Sequence, residues 1–151
     1  MVNDVMVKAS GIRKSYGALP VLKGIDMEVK KGEVISIVGA SGAGKSTLLH
    51  IIGTLDTPDQ GTVIIGQQEV FKQSAASLAS FRNRSIGFVF QFHNLLPEFS
   101  TIENVMIPGL IGRRNPVEVK ERAVELMDML KIGHRKEHKP SELSGGEQQR
   151  T

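Results

Sequence analysis

Val34-Ile35-Ser36-Ile37-Val38-Gly39-Ala40-Ser41-Gly42-Ala43-Gly44-Lys45-Ser46-Thr47 is the stretch that decides the fold. Its first five residues form a compact apolar run of β-branched character, the pattern of a strand buried on both faces. Gly39 to Ser46 match G-x-x-x-x-G-K-[ST], and Thr47–Ile52 reads as a helix. Strand, glycine-rich loop and helix in that order predict a phosphate-binding loop on an α/β scaffold. The glycines let successive backbone N–H groups turn inward around phosphate oxygens, at dihedrals a side chain would obstruct. The helix start adds its positive end. Lys45 is placed to neutralise the β- and γ-phosphates, and the Ser46 hydroxyl to ligate Mg²⁺. The competing explanation is a chance glycine-rich turn, which would need both flanking elements to be accidental as well.

Working outward, Val5–Arg13 and Val21–Val29 read as two strands around a loop containing Gly17 and Pro20. Gly32 marks a turn. Pro58–Gly61 is a second turn, followed by a short strand at Thr62–Ile65. Ser77–Arg84 reads as a helix and Ile86–Phe90 as another apolar strand. Asn115 is suited to cap a helix with Pro116 at its first position and Glu118 at its third. Val119, Ala123, Leu126, Met127 and Leu130 then recur at helical spacing on one face, a packing stripe. Pro140 ends a linker. Ser144 opens a last helix, where Ser-Gly-Gly-Glu fits a capping box.

The 151 residues suggest one domain by length, large enough for a real core. No apolar run approaches a membrane span, and the first residues lack the apolar stretch of a signal peptide, so a cytoplasmic location is expected. The absence of cysteine excludes disulfides and thiolate metal sites. The net charge is +3, but the basic residues are scattered without interleaved aromatics. A solvated surface accounts for them better than a nucleic-acid groove. His134 and His138 stand four apart, yet Gly133, Lys136 and Lys139 around them argue for a basic surface rather than a metal pair.

A second motif narrows the class. Leu143-Ser144-Gly145-Gly146-Glu147-Gln148-Gln149-Arg150 resembles the signature of ABC ATPases. Alone it is compatible with an ordinary capped surface helix. Together with the upstream phosphate loop, it identifies the chain as a member of the ABC family. The stretch Phe88–Phe99, the triplet Glu103-Asn104-Val105 and the run His138–Gly146 are similar to lipoprotein-releasing ABC ATPases of the LolD type. Macrolide-exporter and cell-division subunits are neighbouring groups. The resemblance runs from Val5 to Arg150.

That resemblance implies the α/β fold of a P-loop NTPase, a RecA-like ABC nucleotide-binding domain. Here it is the N-terminal part, with an antiparallel β subdomain, a helical subdomain and an incomplete parallel core sheet. Residues 1–151 would form one such truncated domain, divided into 1–91 (β subdomain and phosphate-loop core) and 92–151 (helical subdomain). The implied ligands are ATP and Mg²⁺. Gly39, Ala40, Ser41, Gly42, Ala43, Gly44, Lys45, Ser46 and Thr47 would hold phosphates and Tyr16 would stack on the base. Ser144, Gly145, Gly146 and Glu147 would act in trans on a nucleotide held by a second ATPase subunit. There the exposed N–H groups of a helix start suit a γ-phosphate. Gln91 would reach Mg²⁺ and the attacking water, so Ser46 and Gln91 are the implied metal contacts. Transmembrane permease subunits would be further partners, with the ATPase on the inner face of the bacterial inner membrane and no nucleic-acid partner.

The chain stops soon after the signature motif, which suggests a truncation. The resemblance places the aspartate and glutamate needed for hydrolysis, and the switch histidine, further on. The 1–151 chain is therefore expected to lack ATPase turnover by itself. Val34–Val38 and Ile86–Phe90 are expected to expose edges and apolar faces, which makes the isolated chain marginal or prone to swapped pairing. The rival functional class is a non-catalytic ABC fragment that binds nucleotide or a partner.

Overall fold

The computed structural model describes residues 4–151. They divide into two compact units, with the boundary between Arg82 and Asn83. The division falls inside a helix, earlier in the chain than the expected 91/92 boundary.

The first unit is built on an antiparallel sheet. Strand β1 (Val5–Tyr16) and strand β2 (Leu19–Lys30) form a long hairpin whose last pair is Tyr16 and Leu19. Both strands outrun the sequence expectation. Pro20, expected in the loop, lies within β2. The strand order β2-β1-β3-β4 makes β2 an edge, where a missing N–H costs no ladder bond. Gly17 turns the hairpin at φ 60. Strand β3 (Gln60–Ile65) pairs with β1, and the two-residue β4 (Gln68–Glu69) pairs with β3.

Helix α1 (Lys45–Ile52) follows the glycine-rich loop. It carries Leu48 and Ile51 three residues apart on its buried face. Burying side chains of this size stabilises by about 1.5–3 kcal/mol each. Ala9, Ile12, Leu22, Val63, Ile65 and Val70 supply the buried apolar positions of the sheet and the turn that follows it. Helix α2 (Ala75–Ser85), within which the division falls, has no buried residue.

The expectation for Val34–Val38 needs correction. This run pairs with no strand among the described residues, and Val34 is 94% and Val38 87% exposed. A strand of a parallel sheet takes its ladder bonds and both its covers from neighbours. Here the sheet edges are β2 and β4, and neither flanks the run. The exposure of the apolar side chains was itself expected; the burial on both faces is not observed.

The second unit is helical. Ile86–Phe90, expected to be a strand, is likewise unpaired; Val89 is 89% exposed, while the Phe88 and Phe90 rings stack at 5.3 Å. Helix α3 (Thr101–Ile111) was not anticipated. Its start is a full capping box: Ser100 Oγ accepts from Glu103 N–H, and Glu103 accepts from Ser100 N–H. The helix runs through Pro108, a residue that normally breaks a helix interior. Helix α4 (Pro116–Met129) starts as expected, with Asn115 Oδ1 accepting from Val117 N–H and Pro116 in the first turn. Of its stripe, Val119, Ala123 and Met127 are buried, Leu126 is half-buried, and Leu130 lies past the helix end and is exposed. Ile102, Ala123, Met127 and Ile132 form the core of this unit. Helix α5 (Gly145–Arg150) opens at Ser144, as its capping box predicts.

Candidate phosphate-binding site

The loop of residues 39–44 delivers the chain into α1 through Gly44, the N-cap, at φ 87. A cap in this left-handed conformation has no side chain to offer, and α1 has no side-chain cap bond and no acidic residue in its first turn. The first N–H groups of a helix lack intrahelical acceptors. At α1 nothing on the helix itself neutralises them, so the positive end of its dipole is open to an anion. Lys45 reinforces this. Its Nζ donates to Gly39 O at 2.9 Å and to Ala40 O at 2.7 Å, which holds the loop in a closed bend. An ammonium has three donors, so one remains for a ligand. Ser46 is exposed at the same turn, and Ser41, Gly42 and Ala43 form the exposed crown of the loop. Gly42, at φ 78, has open space where a Cβ would stand. This donor set, free of carboxylates, fits a polyphosphate.

Tyr16, at the end of β1, is half exposed at 51%. Its hydroxyl donates to Asp56 Oδ2 at 2.7 Å, and the Thr47 side chain on α1 lies near enough to act on it. Lys14 Nζ stands 5.4 Å from the ring centroid and donates to Asp56 Oδ1 at 2.9 Å. The phenol is held above its ordinary value of 10 chiefly because its proton is bonded to the Asp56 carboxylate. That carboxylate is held below the usual range by the Tyr16 hydroxyl first and then by Lys14.

In the second unit Ser144 and Glu147 bond reciprocally at the start of α5. Ser144 N–H donates to Glu147 Oε2 at 2.8 Å, and Glu147 N–H to Ser144 Oγ at 3.4 Å. Arg135 Nε donates to Glu147 Oε1 at 2.8 Å, with His134 Nε2 3.6 Å from the same oxygen. Arg135 and the Ser144 bonds together pull the Glu147 carboxyl down to about 2. Gly145 has nothing within 4 Å of its would-be Cβ. Gln91 lies exposed in an irregular segment.

The fold thus brings Tyr16 to Thr47, and Lys45 to Gly39 and Ala40, within the first unit. Within the second it brings Ser144 to Glu147. Lys14, Asp56 and Arg135 were not singled out from the sequence. No spacing signal marks them: Asp56 meets Tyr16 across 40 positions of chain.

The family model described as ABC transporter matches residues 22–151. The chain is 57% identical over 145 residues to the lipoprotein-releasing system ATP-binding protein LolD of Cytophaga hutchinsonii, covering 96% of this chain and 66% of that protein. The same figures hold for LolD of Bacteroides thetaiotaomicron. The chain therefore spans just under two thirds of the length of these curated relatives. Among solved structures, the ATP-binding cassette MJ0796, dimeric and bound to ADP and Pi after hydrolysis, superposes with a TM-score of 0.87 at 39% identity. That match covers 96% of this chain and 66% of the cassette. CbiO1 of Clostridium perfringens, part of the transporter complex cbiONQ, gives 0.82 at 28% identity over 98% of this chain and 59% of its own. With a family model covering most of its length, and relatives more than half identical over nearly all of it, this chain belongs to the ABC transporter family.

Proposed function

We propose that the chain is the ATP-binding, energy-coupling part of a bacterial ABC transporter of the lipoprotein-releasing type, with ATP hydrolysis as the whole protein's activity. The observation that carries this reading is the start of α1: uncapped, without acids, and served by a lysine with one donor to spare. The high identity to proteins named as lipoprotein-releasing ATP-binding subunits supports the cargo class.

In this reading the N–H groups of Gly39–Thr47 line the polyphosphate and Lys45 offsets its negative charge. Ser46 would be a ligand of Mg²⁺. Mg²⁺ when bound shields the charge of the β- and γ-phosphates. Tyr16 supports the base. Gln91 would align the attacking water. Ser144, Gly145, Gly146 and Glu147 would present a second anion-seeking helix start to a nucleotide held by another copy. Glu147 stays ionised across the physiological range, being held at about 2. Its role there is to lock Ser144 rather than to take a proton. Transmembrane permease subunits would be the other partners, on the inner face of the inner membrane. No helix among the described residues is long and apolar enough to cross a membrane, so spanning would fall to those partners.

Calorimetric titration with Mg-ATP tests the proposal. Lys45→Ala is expected to weaken binding by about ten- to a hundred-fold, the range for losing a hydrogen bond to a charged group. Absence of binding by the folded chain, or equal affinity in the variant, refutes it.

A further inference from the structure

Resting on the reading of Tyr16 as the base support, we propose that Asp56 is its positioning residue, and that through it α1 fixes both the phosphate loop and the base platform. Asp56 is anchored to the end of the helix whose start holds the loop. The N–H groups of Leu55 and Asp56 donate to His50 O at 2.8 and 3.2 Å. Buried Thr54, at φ 61, turns the chain back, and Arg82 Nη1 holds its carbonyl at 2.8 Å.

Each Asp56 oxygen is then committed. Oδ2 accepts from the Tyr16 hydroxyl at 2.7 Å, and Oδ1 from Thr57 N–H at 2.7 Å and Lys14 Nζ at 2.9 Å. Lys14 is itself held by Thr57 O at 2.7 Å and lies 3.8 Å from Asp59 Oδ1. Asp59 Oδ2 in turn accepts from Ser15 N–H at 2.7 Å, next to Tyr16 in the chain. The ring is therefore held at its hydroxyl by Asp56, with an ammonium on one face. The opposite face is the surface offered to a base. A tyrosine beside a hairpin turn would otherwise have to be ordered when the ligand binds, at a cost in rotamer entropy. Asp56 supplies that order beforehand.

The test compares Mg-ATP with tripolyphosphate, which has no base. Asp56→Ala is expected to weaken Mg-ATP by about three- to ten-fold, the range for immobilising one side chain on binding. Tripolyphosphate affinity stays unchanged. Tyr16→Phe, which removes only the hydroxyl and disturbs folding least, gives the same loss, and the double variant adds nothing further. Tyr16 is the chain's one tyrosine, so ultraviolet titration reads it alone. Its ionisation should move to lower pH in Asp56→Asn. The inference is overturned if Asp56→Ala weakens both ligands equally, or if Asp56→Ala and Tyr16→Phe weaken neither while Tyr16→Ala weakens Mg-ATP. If Tyr16→Ala leaves the preference for Mg-ATP over tripolyphosphate intact, the base-support reading itself fails and this inference falls with it. The phosphate-loop reading is untouched in that case.

Discussion

Replacing Gly44 by alanine puts a Cβ 2.8 Å from Leu22 Cδ2, 3.0 Å from Val21 Cγ1 and 3.3 Å from Val21 O. Leu22 is buried, with 4% of its surface exposed, so it has little room to retreat. Gly44 also sits at φ 87, where a Cβ costs about 1–2 kcal/mol. Forcing a methyl into a filled space costs about 1–3 kcal/mol more. The predicted loss is about 2–5 kcal/mol, a large part of the 5–15 kcal/mol typical of a domain. Gly42→Ala is the control: it is also at positive φ, 78, but with nothing within 4 Å. The reduced freedom of the unfolded chain on gaining a Cβ is common to both variants and cancels in their difference. That difference, about 1–3 kcal/mol, isolates the close approach of the loop to β2. Urea unfolding without nucleotide measures it, followed by tyrosine fluorescence. Tyr16 lies in the first unit and the chain has no tryptophan, so the signal reports that unit alone. Equal midpoints at equal slope for the two variants would show that β2 yields freely, and the packing argument would be wrong.

Two further predictions concern the second unit. The Glu147 carboxyl is lowered from 4.5 to about 2 in the folded chain, so it stabilises the fold above the unfolded value and that contribution disappears as pH falls through the folded one. Glu147→Gln should flatten the loss of stability between roughly pH 4.5 and 2; an unchanged slope in acid unfolding would remove Glu147 from that role. Ser100→Ala deletes the cap of α3 and is expected to cost about 0.5–2 kcal/mol in denaturant unfolding, against near-neutrality if Glu103 alone can hold the helix start.

The helices that were legible in the sequence are those whose ends are written in local chemistry. Asn115-Pro116 and Ser144-x-x-Glu147 start α4 and α5 where expected, because a cap needs only residues two or three apart. The same signal stands at Ser100-x-x-Glu103, where no helix was expected, and α3 runs on through Pro108. Its carbonyl is taken by Asn83 Nδ2 at 2.9 Å, a tie from outside α3 that no local pattern announces.

The glycine-rich loop that leads into α1 was determined by the sequence alone, since glycine dihedrals, a lysine and a helix start within nine positions need no distant partner. The status of Val34–Val38 and Ile86–Phe90 was decided by tertiary structure, because an apolar β-branched run becomes a strand only when another strand supplies its ladder bonds. So was the set of groups holding Tyr16: Lys14 comes from the same strand and Asp56 from the loop beyond α1. Hydrogen bonds between residues tens of positions apart follow from how the chain folds back on itself, and local residue order does not encode that path.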